Sequence, residues 1–329
     1  MKTAIFGAGR IGKVHAASIC MDPRSELVAV TDVVGEAAEA LGREYGVPVR
    51  GADEILDDAS IEAILIASST NTHADLIERG VAAGKAIFCE KPIDLDLERA
   101  RAVRKVASGS KKPVMMGFNR RFDPNFAALE AAYSAGEIGK GEMLAVTSYD
   151  PAPPPAAYVK VSGGLFRDMM IHDFDICAWL FGMPERVTAS GSCLVDPEIG
   201  EAGDIDTAVV ILDYGDGKLA TIRNSRRAVY GYDQRIELLG SEGLLQAENI
   251  LENSVTKSTT AGTVSAKPLH FFLERYMRAY GTEWSAFVDA VVDGKPVPAS
   301  VEDGVNALAL AEAANRSLKE RRSVELREI

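Results

Sequence analysis

Asp168, His172 and Asp175 lie in "GGLFRDMMIHDFDICAWLFG", residues 163 to 182, a stretch that is otherwise mostly apolar. Spacings of four and three residues put these side chains on one face of an α-helix. Met169, Met170, Ile171, Phe174, Ile176, Trp179 and Leu180 would cover the rest of the cylinder. The pattern predicts a helix buried nearly all round with one polar stripe. Such a stripe must be satisfied by partners or face a cleft that holds a ligand. Histidine, with an ordinary pKa of about 6.5, suits proton removal at neutral pH. A flanking carboxylate fixes its tautomer or orients a hydroxyl, and a lysine cation favours a developing alkoxide. That chemistry is the oxidation of a secondary alcohol. Two plainer roles stay open: Asp168 as a carboxylate favoured by a helix dipole, and His172 as a satisfied core histidine. D-x-x-x-H also places two metal ligands on one face, but no third and fourth ligand stand at sensible spacing, so no metal is expected.

A second constellation is "FGAGRIG", with Gly7, Gly9 and Gly12 in a G-x-G-x-x-G pattern between a strand and a helix. Its glycines allow a tight turn, close approach of backbone to a pyrophosphate, and close helix–strand packing. Asp32 ends the second strand, 20 residues after Gly12. A carboxylate there suits ribose hydroxyls and repels a 2′-phosphate. No Arg or Lys follows in "TDVVGEA", so NAD is favoured over NADP. Arg10, Ile11 and Val33 flank these positions and join the candidate cofactor contacts.

"CEKPID" sets Glu90, Lys91 and Pro92 at the end of the fourth strand. Ligands of open parallel sheets bind beyond the carboxyl ends of the strands. Lys91 is therefore a candidate for the nicotinamide end of the cofactor and for the reacting carbinol. In "SSTNTHADL", Ser68, Thr70, Asn71 and His73 follow the third strand. Asn71 or Thr72 also suits a helix cap, and His73 suits cofactor contact or packing equally. "GFNRRFDPN" offers Arg120 and Arg121, one for substrate or cofactor and one for an acid; Arg120 is taken as the substrate contact. Of the two tyrosines in "YGYDQR", Tyr230 and Tyr232, the former is taken as lining a pocket. Asp150 closes the strand-like run 141–150 and completes the candidate substrate contacts.

The elements that must position these residues follow a clear rhythm. Strand-like runs at 2–7, 26–32, 62–68, 85–90 and 113–118 alternate with helical patterns. That is the pattern of a parallel sheet covered on both faces. After Gly117 come a helix over 123–135, a strand at 141–150, the loop "PAPPP", and the polar-striped helix. Consecutive strands with period-2 alternation follow between 185 and 250, and helices resume from His270. An antiparallel sheet with one apolar face is expected. The fold class is thus α/β, with an N-terminal Rossmann parallel sheet and a C-terminal α+β domain. The expected domains are 1–118 for the dinucleotide and 119–329 for substrate and oligomerisation.

Composition narrows the partners. A net charge of −12 argues against nucleic acid or an anionic membrane surface. No run approaches the roughly 18 apolar residues of a membrane span. Cys20, Cys89, Cys177 and Cys193 stand far apart in apolar sequence and are expected as buried free thiols in a reducing compartment. The first residues open directly on a strand, so the cytoplasm is the expected location.

The motifs "GAGRIGKVHA", "TDVVGEAA", "EKPIDLD", "GFNRRFDP" and "GGLFRDMMIHDFD", in this order, resemble the glucose-fructose oxidoreductase/inositol dehydrogenase (Gfo/Idh/MocA) family. "YDPAPPPAAYVKVSGG" is particularly similar to its myo-inositol-oxidising branch. The resemblance implies an open sheet that mediates oligomerisation, commonly a homotetramer. It also implies a catalytic set that falls on Lys91, Asp168 and His172, with His172 as base and the other two binding and polarising the hydroxyl. The expected reaction is NAD-dependent oxidation of myo-inositol to 2-keto-myo-inositol (scyllo-inosose). Scyllo- or chiro-inositol, an aldose, or a non-catalytic NAD- or sugar-sensing role remain alternatives.

Overall fold

The structure is a computed structural model describing residues 1–329, the side chain of Ala156 aside. The chain forms two compact units, Met1–Phe122 with Met277–Leu308, and Asp123–Tyr276 with Ala309–Ile329. The division expected at 118/119 kept everything after it in one span, whereas Met277–Leu308 belongs with the N-terminal residues. Both late changes of unit fall inside long helices, Phe272–Val292 and Val301–Glu320. No turn residue marks them, so local pattern could not locate them.

In the first unit β1 (Lys2–Phe6), β2 (Glu26–Thr31), β3 (Ala63–Ile66), β4 (Ala86–Glu90) and β5 (Val114–Gly117) form one parallel sheet in the order β2-β1-β3-β4-β5. Every residue of β3 and β5 is buried, as expected of strands covered on both faces. The crossovers are α1 (Arg10–Met21), α2 (Gly35–Tyr45) with the short α3 (Ala52–Asp57), α4 (His73–Ala82) and α5 (Leu97–Ser108). From β1 the chain goes to β2 on one side, and β3 lies on the other. The order therefore switches at β1, which opens a crevice beyond its carboxyl end.

The second unit contains α6 (Pro124–Ser134), β6 (Gly141–Tyr149), α7 (Ala156–Ser162), α8 (Gly164–Asp168), α9 (Ile171–Phe181), β7 (Arg186–Ser192), α10 (Pro197–Glu201), β8 (Thr207–Asp213), β9 (Leu219–Ser225), β10 (Asp233–Gly240) and β11 (Gly243–Ala247). A seven-stranded sheet runs β11-β10-β6-β9-β8-β7-β14, where β14 is Val324–Glu325. Only the β6–β9 pair is parallel. Alternation separates the two faces of the sheet: Leu144, Val146, Val210, Leu212, Ile222 and Leu238 are buried, while Met143, Val209, Ile211, Leu219 and Leu239 are exposed. A polar hairpin, β12 (Thr256–Thr259) with β13 (Gly262–Ser265), escaped sequence reading because it carries no apolar alternation.

Two expectations need correction here. The single helix over 163–182 is two helices, α8 and α9. Met169 and Met170 both donate their backbone N–H to the Leu165 carbonyl, at 3.0 and 2.9 Å, and a fresh turn starts at Met170. Asp168 and His172 thus sit on opposite sides of a break rather than one turn apart on a continuous cylinder. His172 and Asp175, both within α9, keep their i, i+3 relation. The cysteines are all free, yet only Cys89 and Cys177 are buried; Cys20 is exposed near the end of α1.

Candidate active site

The glycines of the first loop do three different jobs. Gly7 has φ +108°, and a Cβ there would stand 2.4 Å from the Ala67 carbonyl oxygen at the end of β3. A Cβ on Gly12 would lie 2.0 Å from the Gly7 oxygen, so the first turn of α1 rides directly on the loop. Gly9, the residue before α1, is exposed, with nothing within 4 Å of a Cβ. Backbone at Gly9, Arg10 and Ile11 thus offers N–H groups and the positive end of the helix dipole to open space.

Asp32 closes this cradle. Its Oδ2 accepts from Ala8 N at 2.6 Å, and its Oδ1 from Val34 N at 2.8 Å. The intervening Val33 is 98% exposed. A dinucleotide would fit these residues: the glycines leave space for a pyrophosphate, and the carboxylate is of the kind that suits ribose hydroxyls. Ser68 hydrogen-bonds Thr72 at 2.7 Å across the short 3-10 turn Thr70–Thr72, which contains Asn71. These groups stand at the carboxyl end of β3.

His73 is 1% exposed. Its Nδ1 faces the Pro92 carbonyl at 2.8 Å and its Nε2 the Ser68 carbonyl at 3.0 Å, so its ring packs between two loops. Burial pushes its pKa down. Glu90 ends β4 and pairs with His15 at 2.7 Å; Lys91 follows, and the Lys91–Pro92 peptide is cis. Arg121 takes the acid-pairing role, with Asp303 at 3.0 Å and the Pro298 carbonyl at 2.8 Å. Arg120 is buried beside it.

In the second unit the inward face of the sheet turns polar at one end. Ser148, Asn224 and Gln234 are register partners across β6, β9 and β10. All three are at most 1% exposed. Asp173 of α9 lies on this row, accepting from Ser148 Oγ at 2.5 Å and Asn224 Nδ2 at 2.8 Å. One step further along, Arg226 reaches Asp168 Oδ2 at 3.2 Å and Asp150 Oδ2 at 3.9 Å. Tyr158 of α7 donates to Asp168 Oδ1 at 2.9 Å. The row fixes α9, which carries His172 at its first turn. Arg226 and Tyr158 fix the carboxylate at the end of α8. Two of the predicted substrate residues, Asp150 and Asp168, thus meet on one arginine.

Sequence reading missed Arg226, Tyr158 and Asp173. A signal existed for Arg226: Ala220, Ile222 and Asn224 occupy the inward positions of β9, and Arg226 is the next one. A charge where alternation demands an inward side chain needs a buried partner. Tyr230, expected to line a pocket, is partly exposed. Its hydroxyl donates to Asp233 at 2.6 Å, and burial together with that carboxylate pushes its pKa up to about 12. Among the described residues, no group of three or more His, Cys, Asp or Glu side chains could hold a metal ion.

Residues 1–118 match the oxidoreductase family with an NAD-binding Rossmann fold, and residues 126–246 match the GFO/IDH/MocA C-terminal domain. The inositol 2-dehydrogenase of Rhizobium meliloti (strain 1021) is 51% identical over 328 residues, covering 99% of each chain. A myo-inositol dehydrogenase from Corynebacterium glutamicum superposes with a TM-score of 0.94 at 45% identity, covering 99% of this chain and 98% of that one. A scyllo-inositol dehydrogenase from Lactobacillus casei, solved with bound NAD(H) and scyllo-inositol, superposes with a TM-score of 0.91 at 31% identity over 99% of each. With a glycine cradle at the sheet's switch point and full-length likeness of this kind, the chain belongs to the Gfo/Idh/MocA family of NAD-binding oxidoreductases.

Proposed function

We propose that this chain is an NAD-dependent dehydrogenase that oxidises myo-inositol to 2-keto-myo-inositol. The observation that carries the reading is full-length likeness to inositol dehydrogenases in a chain whose sequence carries Lys91, Asp168 and His172. Gly7, Gly9, Gly12 and Asp32 hold the dinucleotide, with Ser68, Thr70, Asn71 and Glu90 towards its nicotinamide end. Bound NAD supplies the acceptor for the hydrogen that leaves the carbinol carbon. His172 takes the hydroxyl proton at the same time, because an oxygen that keeps its proton cannot become a ketone. The Lys91 cation holds that oxygen and stabilises its developing negative charge. Asp168, held by Arg226 and Tyr158, accepts a hydrogen bond from a substrate hydroxyl. Asp150 and Arg120 serve neighbouring hydroxyls, and Tyr230 orders the loop next to Asp150 through Asp233.

Scyllo-inositol is the specific alternative, since one solved neighbour binds it and the same three groups would act on it. Initial rates of NADH formation with myo-, scyllo- and chiro-inositol and glucose, each with NAD and with NADP, decide the matter. The expected result is the highest kcat/KM for myo-inositol with NAD, and poor use of NADP because Asp32 repels the 2′-phosphate. Preference for another polyol changes the substrate and keeps the mechanism. Binding of NAD without turnover of any polyol replaces the enzyme with a sensor.

The chain also reads as a cytoplasmic homotetramer. Its four cysteines are unpaired, which suits a reducing compartment, and among the described residues no helix is long and apolar enough to cross a membrane. The outer face of the seven-stranded sheet supports assembly through a second copy: Leu239, Met143 and Leu219 stand side by side in register, with Val209, Ile211 and Leu244 also exposed. Light scattering is expected to give the mass of four chains. A Met143→Asp/Leu219→Asp variant is expected to give a smaller species, and an unchanged mass removes this face from the interface.

A further inference from the structure

Two of the chain's four histidines, His15 and His73, have no part in the reaction described above, yet both are buried against the residues that flank Lys91. His15 sits on α1 with its side chain fully covered, edge-on to Phe88 and Tyr280 at ring-centroid distances of 5.0 and 5.5 Å. Its Nε2 stands 2.7 Å from Glu90 Oε1. Its Nδ1 is buried without a hydrogen-bond partner. An unsatisfied buried N–H is costly, so the proton belongs on Nε2, which donates to Glu90. The other Glu90 oxygen accepts from Lys91 N at 3.3 Å. Room for this carboxylate exists because β5 offers Gly117 beside it; a Cβ there would stand 3.1 Å from Glu90 Cδ.

On the far side of Lys91, His73 at the start of α4 reaches the Pro92 carbonyl with one ring nitrogen and the Ser68 carbonyl with the other. Carbonyl oxygens only accept and the neutral ring carries one N–H, so it donates to one of them, the Pro92 carbonyl by the shorter distance, and only contacts the second. Apolar side chains would fill both seats without any polar group to satisfy. What a leucine or phenylalanine could not do is grip the turn from both ends.

We propose that His15 and His73 are positioning residues for Lys91, pinning the Glu90–Lys91–Pro92 turn to α1 and α4 so that the ammonium meets the substrate oxygen at a fixed place. The proposal rests on the reading that Lys91 acts on the substrate. A misplacement of about 1 Å in such a group costs on the order of 10²-fold in rate, although the mutated residue never touches the substrate.

A double-mutant cycle on the full-length protein tests this. His15→Phe keeps a ring among Phe88 and Tyr280 and removes the donor to Glu90. It is combined with Lys91→Ala, and kcat and KM for the polyol are measured with NAD saturating. NADH affinity is followed separately by fluorescence titration. The expected result is a loss of about 10–10²-fold in kcat/KM for His15→Phe, a much smaller change in NADH affinity because Glu90 also stands towards the nicotinamide end, and no further loss when Lys91 is already alanine. An equal loss in both backgrounds, or NADH affinity falling in step with kcat/KM, overturns the proposal, because the histidine then supports the fold and not the lysine. Full turnover in Lys91→Ala alone is a different failure: it removes Lys91 from the reaction and takes the proposal with it. Should His15→Phe not fold, His73→Gln enters the same cycle with the same expected non-additivity.

Discussion

His172→Ala is expected to lower turnover of inositol by about 10²–10⁴-fold, the usual share of a general base. NADH affinity should stay unchanged. The residues that cradle the dinucleotide belong to the first unit, whereas His172 belongs to the second, in the first turn of α9. Removing its imidazole leaves the Gly7–Gly12 loop and Asp32 intact. It also leaves the Asp173 network with Ser148 and Asn224, which holds α9 in place. Steady-state rates paired with NADH fluorescence titration separate chemistry from binding. Turnover within a few-fold of the parent would mean another group takes the proton.

The largest expected effect on stability comes from a pair away from the reaction. Asp123 and Arg275 face each other with side chains 0% and 1% exposed. Asp123 also caps α6, accepting from Asn125 N and Phe126 N at 3.0 and 3.3 Å. Asp123→Ala removes a cap and leaves a guanidinium buried without its partner carboxylate. Breaking a buried pair in this way costs about 3–5 kcal/mol. At about 2–4 °C per kcal/mol for a domain of this size, Tm should fall by roughly 10 °C. Calorimetry checks this, and Asp123→Leu/Arg275→Met provides the contrast. Replacing both charges with apolar groups leaves none buried alone, so the double variant should melt closer to the parent. A single variant that melts like the parent would show that water or another group satisfies Arg275.

Much of the nucleotide half was legible because its signals are local. Alternating strands and helices, glycines at fixed offsets and an acid ending the second strand each follow from what a few consecutive residues can do. The strand boundaries, the steric need for glycine at positions 7 and 12, and the place of Asp32 beside that loop could be read that way. The helix carrying the polar stripe was harder. Spacing alone put Asp168 and His172 on one cylinder, and nothing in the residue types announced the break at Met169. Whether a helix continues there depends on how the Leu165 carbonyl is shared.

The second unit marks the same boundary from the other side. Period-2 alternation announced its strands and their buried face, but strand order is set by contacts between residues far apart in the chain. Only the pairing of β6 with β9 and β10 brings Ser148, Asn224 and Gln234 into one row. Only that row, with Arg226 beyond it, shows what holds Asp173 and Asp168. By itself the sequence determined the family's chemistry: a dinucleotide cradle, a strand-end lysine, and an acid and a histidine near each other in the chain. Tertiary structure alone decided which buried groups hold those residues in place, and that Met277–Leu308 returns to the N-terminal unit. The physical reason is that propensity and periodicity act over a few residues, whereas a buried charge must find its partner wherever the fold supplies one.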